Sequence, residues 1–149
     1  MFNLLEKLYQ YVIFYPDSFF KVIFNEALWF IKQKSASEPY FQRKILGSQM
    51  LLDLHNKGIS HQLAVHGIRE TTSVLIFLVT LKKGEKLLDL GSNIGYYTLL
   101  GSRKVGKKGK VYALEPDKRN FELLKKNIKL NKLDNVEVFD FAVSDKTGS

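Results

Sequence analysis

The stretch Leu87-Leu88-Asp89-Leu90-Gly91-Ser92-Asn93-Ile94-Gly95-Tyr96-Tyr97 constrains the fold more than any other part of the chain. A short apolar run ends in an acid, passes through a turn bracketed by glycines and enters a segment with helical spacing. Past Gly95 a second apolar run, Val111-Tyr112-Ala113-Leu114, ends in Glu115-Pro116. Strand, glycine turn, helix, strand and acid, in that order, make a βαβ nucleotide site in which the acid can accept from two ribose hydroxyls.

The turn also discriminates among nucleotides. A dinucleotide fingerprint places glycine at its second position so that the backbone can approach a pyrophosphate. Here that position is Asn93, giving Gly-x-Asn-x-Gly. S-adenosylmethionine (SAM) carries adenosine without phosphate, so the close approach is unnecessary. Its amino acid moiety and sulfonium call instead for a carboxylate, which Asp89 can supply. Glycine spacing by itself is weak evidence. The preceding acid, the Asn within the turn and Glu115-Pro116 at the next strand end sharpen it. In this reading Gly91 and Gly95 permit the turn, with Ser92 as the small residue between them. Asn93 either hydrogen-bonds the methionine portion or caps the helix starting near Ile94. Glu115 accepts from the ribose diol and Pro116 fixes the turn that aims it.

With these residues in view, the chain resembles the FkbM family of SAM-dependent methyltransferases. The matching text is Asp89-Leu90-Gly91-Ser92-Asn93-Ile94-Gly95-Tyr96-Tyr97-Thr98-Leu99, then residues 109–117, then Asn120 through Asn127, Asn131, and Ala142 through Gly148. The resemblance implies an α/β, Rossmann-like class I SAM-dependent methyltransferase fold. Residues 1–45 form an N-terminal amphipathic helical segment and linker, and 46–149 a partial SAM-binding domain. It also implies O-methyl transfer to a small-molecule or glycan hydroxyl. Asp140 falls where related methyltransferases recognise adenine, with Ala142 as the competing position. Glu70, just before the helix that leads to the first strand, either reaches the methionine amino group or favours that helix start. Tyr96 and Tyr97 either line the pocket or belong to the core. No catalytic base is assigned; the family places it beyond residue 149.

The resemblance implies a seven-stranded sheet ordered 3-2-1-4-5-7-6, of which strands one to three are present. The fold is therefore expected to be truncated after the third strand, with an exposed edge on a central strand. Three explanations stand: a gene fragment, which is favoured; a partner chain that completes the sheet; or the strand near 50–54 covering the gap. A non-catalytic SAM-binding remnant or subunit is the alternative to the enzyme.

Composition narrows the remainder. A chain of 149 residues can bury a core. There are no cysteines, hence no disulfides and no thiolate metal site, and the three histidines, His55, His61 and His66, lack metal-ligand spacing. No metal is expected. The net charge of +8 is densest at Arg103, Lys104, Lys107, Lys108 and Lys110. A solvated turn is the favoured reading there, because no aromatics are interleaved to stack on bases, and RNA modification or binding is the third-ranked function. Glu6, Lys7, Asp17, Lys21 and Glu26 interrupt the aromatic N-terminal segment, which disfavours a transmembrane span. The N-terminal helices pack on the domain or, alternatively, contact a membrane or a partner. Without a signal peptide or cysteines, the cytoplasm is the expected location.

Helical spacing is expected at 3–15, and after Pro16-Asp17-Ser18 with Phe20, Ile23, Phe24, Ala27, Leu28 and Ile31 on one face. A linker over 32–39, a strand at 50–54, and a short helix capped by Ser60 and ended by Gly67 follow. Next come a helix from 71–73 onward, a strand at 86–90, a helix at 94–104 and a strand at 110–115. A helix at 118–131, burying Phe121, Leu124, Ile128 and Asn131, precedes a strand at 135–141.

Overall fold

A computed structural model describes residues 16–145. The helix expected over 3–15 and the terminal Lys146, Thr147 and Gly148 lie outside the described residues. The chain divides into two units. One takes the described residues through Phe41 together with Leu52–Arg69, and the other takes Gln42–Leu51 and everything described from Glu70 onward.

In the first unit helix α1 (Pro16–Ser35) packs on helix α2 (Ile59–His66). Helix α1 buries Asn25 and Trp29 and leaves Phe20, Ile23, Phe24 and Ile31 exposed, which corrects the expected face. Apolar residues occur nearly all round this helix, so periodicity does not select a stripe. Specific partners do: Asn25 Nδ2 donates to Val65 O (2.7 Å) and Gln33 Nε2 to Leu54 O (2.6 Å). The Trp29 ring meets Phe41 edge-on and lies tilted against His61, whose Nε2 is 2.9 Å from Glu26 Oε2. The capping role expected of Ser60 is also corrected. Helix α2 starts one residue earlier, and the buried Ser60 hydroxyl accepts the Asp53 N–H (3.1 Å). Gly67 ends α2 in the left-handed conformation, as the glycine signal implies.

Strands β1 (Tyr40–Ile45) and β2 (Ser48–Asp53) form a two-stranded sheet about Leu46-Gly47, whose φ values are 43° and 86°. Two positive-φ residues in a two-residue loop match the twist of an antiparallel hairpin. Strand β1 is not anticipated by the sequence reading, and β2 starts two residues before the expected strand at 50–54.

Helix α3 (Thr71–Thr80), β3 (Lys86–Leu90), α4 (Tyr96–Val105), β4 (Lys110–Leu114), α5 (Lys118–Leu130) and β5 (Val136–Phe139) complete the described chain. The last three strands make a parallel sheet in the order β3-β4-β5, with Asp89 opposite Ala113 and Leu114 opposite Phe139. This is the α/β, Rossmann-like arrangement expected. Its core joins Leu81, Val105 and Val111 with Phe77, Leu87 and Val136. Helix α5 is capped by Asp117, whose side chain accepts the Asn120 N–H (2.9 Å). It buries Leu123, Leu124 and Asn127, while Phe121, Ile128 and Asn131 are only half-buried. The inward stripe is thus rotated from the expected one, because an amide rather than a hydrocarbon fills its centre.

The outer side of β3 has no neighbouring strand among the described residues, and Leu88 and Leu90 are 59% and 55% exposed. Strand β2 belongs to the separate hairpin sheet, so it does not cover this edge, contrary to the third explanation above. Among the described residues no single helix is long and apolar enough to cross a membrane.

Candidate cofactor site

The turn between β3 and α4 is built from backbone bonds to the neighbouring strand. Gly91 N–H and Ser92 N–H both donate to Leu114 O (2.9 Å each), and Gly95 N–H donates to Ser92 O (2.8 Å). The chain reverses through positive φ at Gly91 (73°), Asn93 (52°) and Gly95 (93°). A Cβ at Gly91 would meet nothing within 4 Å, so the backbone is approachable there. A Cβ at Gly95 would fall 2.7 Å from Leu124 Cδ1 and 2.9 Å from Leu99 Cδ1. The two glycines therefore differ: Gly91 faces open space and Gly95 faces the core. The Ser92 hydroxyl is turned back to Leu114 O (3.2 Å). The Asn93 side-chain oxygen accepts the N–H of the next residue, Ile94 (2.9 Å), a contact within the turn. Helix α4 starts at Tyr96 with Gly95 as its N-cap and no side-chain capping bond, which corrects the capping role expected of Asn93.

Glu115 stands one residue past β4 and is buried. Its Oε2 accepts the Asn93 N–H (2.7 Å) and its Oε1 accepts the Asp117 N–H (3.0 Å). The carboxylate is therefore clamped between the turn and the start of α5, and Pro116 spans the short path between those two ends. An ionised carboxylate offers two lone-pair sites per oxygen, so one on each remains after these bonds. Two parallel acceptors held rigidly are what a vicinal diol requires, and the residues present fit an adenosine ribose.

Asp89 lies in β3 and is half-buried. Burial pushes its carboxyl above the usual carboxylate range, the Thr98 hydroxyl opposes this by donating to Oδ2, and the charge of Glu115 adds to the rise. Two carboxylates thus concentrate negative potential beside the turn, which suits a ligand with cationic groups. The raised pKa means that the folded protein holds this proton more tightly than the unfolded chain. Stability from this group is therefore lost as pH climbs from the unfolded pKa through the higher folded one. An asparagine in place of Asp89 would keep an acceptor for Thr98 without the charge. Asp89→Asn is accordingly expected to raise the melting temperature of the ligand-free protein at pH 7. The gain should shrink on acidification into the ordinary carboxylate range. Thermal melts from pH 4 to 8 check this, and a lowered melting temperature at pH 7 would contradict it.

The remaining expected residues lie around this centre. Glu70 is the N-cap residue of α3 in a left-handed conformation (φ 52°), without a side-chain capping bond. Its carboxylate instead accepts the Tyr97 hydroxyl (3.0 Å) on the first turn of α4. Burial and that carboxylate push the Tyr97 hydroxyl pKa upward. Tyr96 is buried and packs edge-on against Tyr97, which places Tyr96 in the core. Asp140 is exposed one residue beyond β5, at the same end of the sheet as Glu115, whose N–H donates to Phe139 O (3.0 Å). Three contributors escape the sequence reading. Thr98 holds Asp89, Asp117 supplies an N–H to Glu115, and Asn127 donates to Ile94 O (2.8 Å) beneath the turn. The Asp-after-Pro spacing is a visible signal for Asp117. Thr98 and Asn127 become functional only through contacts distant in sequence. Among the described residues no group of three or more His, Asp or Glu is placed to hold a metal ion.

Solved structures share this architecture. TYW2 from M. jannaschii in complex with AdoMet superposes with a TM-score of 0.55 at 25% identity, over 69% of this chain and 43% of that one. Trm5b from Pyrococcus abyssi gives 0.54 at 23% identity over 70% and 29% of the respective chains, a likeness of fold. A curated relative from Sulfurisphaera tokodaii, "Probable cobalt-precorrin-6B C(15)-methyltransferase (decarboxylating)", is 46% identical over 57 residues, 38% of this chain. That match spans only 30% of the relative's length. The fold is that of a Rossmann-like SAM methyltransferase. The FkbM resemblance is met at the level of the class I methyltransferase domain, and the matching family is a different one. Residues 45–145 match the model of the TRM5/TYW2 methyltransferase domain, and the chain belongs to that family.

Proposed function

We propose that this chain is the SAM-binding part of a methyltransferase that acts on tRNA. The observation that carries the reading is the clamped Glu115, with one unused acceptor site on each oxygen beside a phosphate-free turn. The TRM5/TYW2 family match favours tRNA over the small-molecule or glycan hydroxyl expected from the FkbM resemblance. Charge is consistent with an RNA acceptor: Lys118, Arg119, Lys125, Lys126 and Lys129 line the exposed side of α5, and the chain carries +8 overall. Glu115 would hold the ribose, Asp89 would face the cationic tail, the turn from Gly91 to Gly95 would support it, and Asp140 and Glu70 stand at the periphery. The sulfonium supplies an already activated methyl group, so the protein's part is chiefly alignment.

The test combines SAM binding by calorimetry with transfer of a tritiated methyl group to unmodified tRNA, and in parallel to small hydroxylated acceptors. Methylated tRNA, with binding that weakens steeply as salt rises, is the expected result. Transfer only to small hydroxyl compounds would return the reading to O-methylation, and absence of SAM binding would discard the cofactor assignment. A second reading is favoured by the edge of β3, which pairs with no strand on one side among the described residues, and by the exposed Leu88 and Leu90 on one face of that strand: a subunit that becomes active when another polypeptide completes the sheet. Transfer that appears only on adding such a partner would establish it.

A further inference from the structure

Two asparagines on α5 treat β2 as a neighbouring strand would. Asn127 Oδ1 accepts the Leu51 N–H (2.7 Å) and its Nδ2 donates to Leu51 O (3.2 Å). Asn131, the C-cap residue of α5, repeats the pattern on Gln49: Oδ1 accepts the Gln49 N–H (2.9 Å) and Nδ2 donates to Gln49 O (2.6 Å). The spacing explains why this works. Residues one helical turn apart sit about 5–6 Å apart along the axis. Alternate residues of a strand, whose N–H and C=O point to the same side, repeat at about 6.6 Å. Two amides therefore satisfy two successive backbone pairs.

The two asparagines are not equivalent. The second Nδ2 hydrogen of Asn131 stays within its own helix, on Asn127 O (2.8 Å). That of Asn127 crosses to Ile94 O (2.8 Å), inside the turn that carries Asn93 and Gly95. Ile94 C=O and Gly95 N–H belong to one rigid peptide unit. Holding the carbonyl therefore fixes the direction of the Gly95 N–H, which closes the turn on Ser92 O. Asn127 is fully buried, so truncating it leaves the Ile94 carbonyl and the Leu51 backbone pair without their side-chain partner.

We infer that Asn127 is a positioning residue that couples the hairpin strand β2 to the cofactor turn, so that the geometry of the SAM site depends on how β2 is seated. The part of this inference that concerns SAM rests on the functional reading above; the coupling itself does not. Asn131 supplies the internal comparison, since it grips β2 in the same way without touching the turn.

Amide hydrogen exchange of the ligand-free chain reads the coupling alone. Asn127→Ala is expected to speed exchange at Gly95 and Leu51, whereas Asn131→Ala speeds it at Gln49 and leaves Gly95 unchanged. In calorimetry Asn127→Ala should weaken SAM by about tenfold, while Asn131→Ala stays within about twofold. Should Asn127→Ala fail to fold, native-state exchange of the unaltered protein decides: Gly95 and Leu51 should open together with the same denaturant dependence. Equal effects of the two substitutions on Gly95, an unmoved Gly95 in Asn127→Ala, or independent opening of the two amides would overturn the coupling. A protein that shows the exchange pattern but binds no SAM would instead overturn the functional reading and leave the coupling standing.

Discussion

Replacing Glu115 by alanine is expected to remove measurable SAM binding at micromolar concentrations and to lower the stability of the protein itself. Two backbone donors, Asn93 N–H and Asp117 N–H, lose their acceptor in a buried place. Each unsatisfied group costs roughly 1–3 kcal/mol. Part of that cost is relieved because the space vacated by the side chain can admit water. A net destabilisation of about 2–3 kcal/mol follows. Loss of the two bonds to the diol adds a fall in affinity on the order of 100-fold. Glutamine is no gentle alternative. Both carboxylate oxygens receive an N–H, so the amide end of Gln would set a donor against a donor. Glu115→Gln should therefore destabilise about as much as alanine, which separates a carboxylate requirement from a mere space-filling one. Denaturant titration for stability and calorimetry for SAM read the two effects independently. A Gln variant with unchanged stability would show that the carboxylate clamp does not hold the turn.

The second large effect concerns Gly95. Alanine there must adopt φ near 93° and place its methyl within 3 Å of both Leu124 and Leu99. The left-handed backbone costs an L-residue roughly 1–2 kcal/mol, and forcing a methyl into a filled core typically costs about 1–3 kcal/mol. Gly95→Ala should thus lose about 2–5 kcal/mol, a large share of a small domain's stability. Gly91→Ala, with the same backbone demand but no neighbour within 4 Å, should lose only about 1–2 kcal/mol. The contrast is measurable by urea unfolding of the pair. Equal losses would mean that backbone conformation alone governs both sites.

The parts of the molecule legible in the sequence are those whose signal is local. The strand at 86–90, the turn at 91–95, the strand at 110–114 and the carboxylate at 115 follow one another at fixed spacing, so residue order alone lays out the βαβ unit. Gly67 announces the end of its helix by the same kind of local chemistry. What stays hidden depends on partners distant in the chain. The inward face of α1 is selected by Asn25 and Gln33 finding carbonyls at Val65 and Leu54, which periodicity cannot announce in a helix whose apolar residues fall on nearly every side. Strand β1 carries Gln42, Arg43 and Lys44 in succession, a polar run without a clean alternation. Asn127 reads as an ordinary surface amide of a lysine-rich helix, and Asn131 as part of a buried stripe, until the backbone of β2 is set beside them. Ser60 likewise looks like a cap until Asp53 claims its hydroxyl.

The tethering of the turn by Leu114, Glu115 and Asn127 has a kinetic and entropic consequence. A loop ordered by five hydrogen bonds of this kind has already surrendered its conformational freedom when the domain folds. An arriving small molecule then gives up chiefly its own motion, and recognition proceeds as docking onto a rigid template, without a slow ordering step.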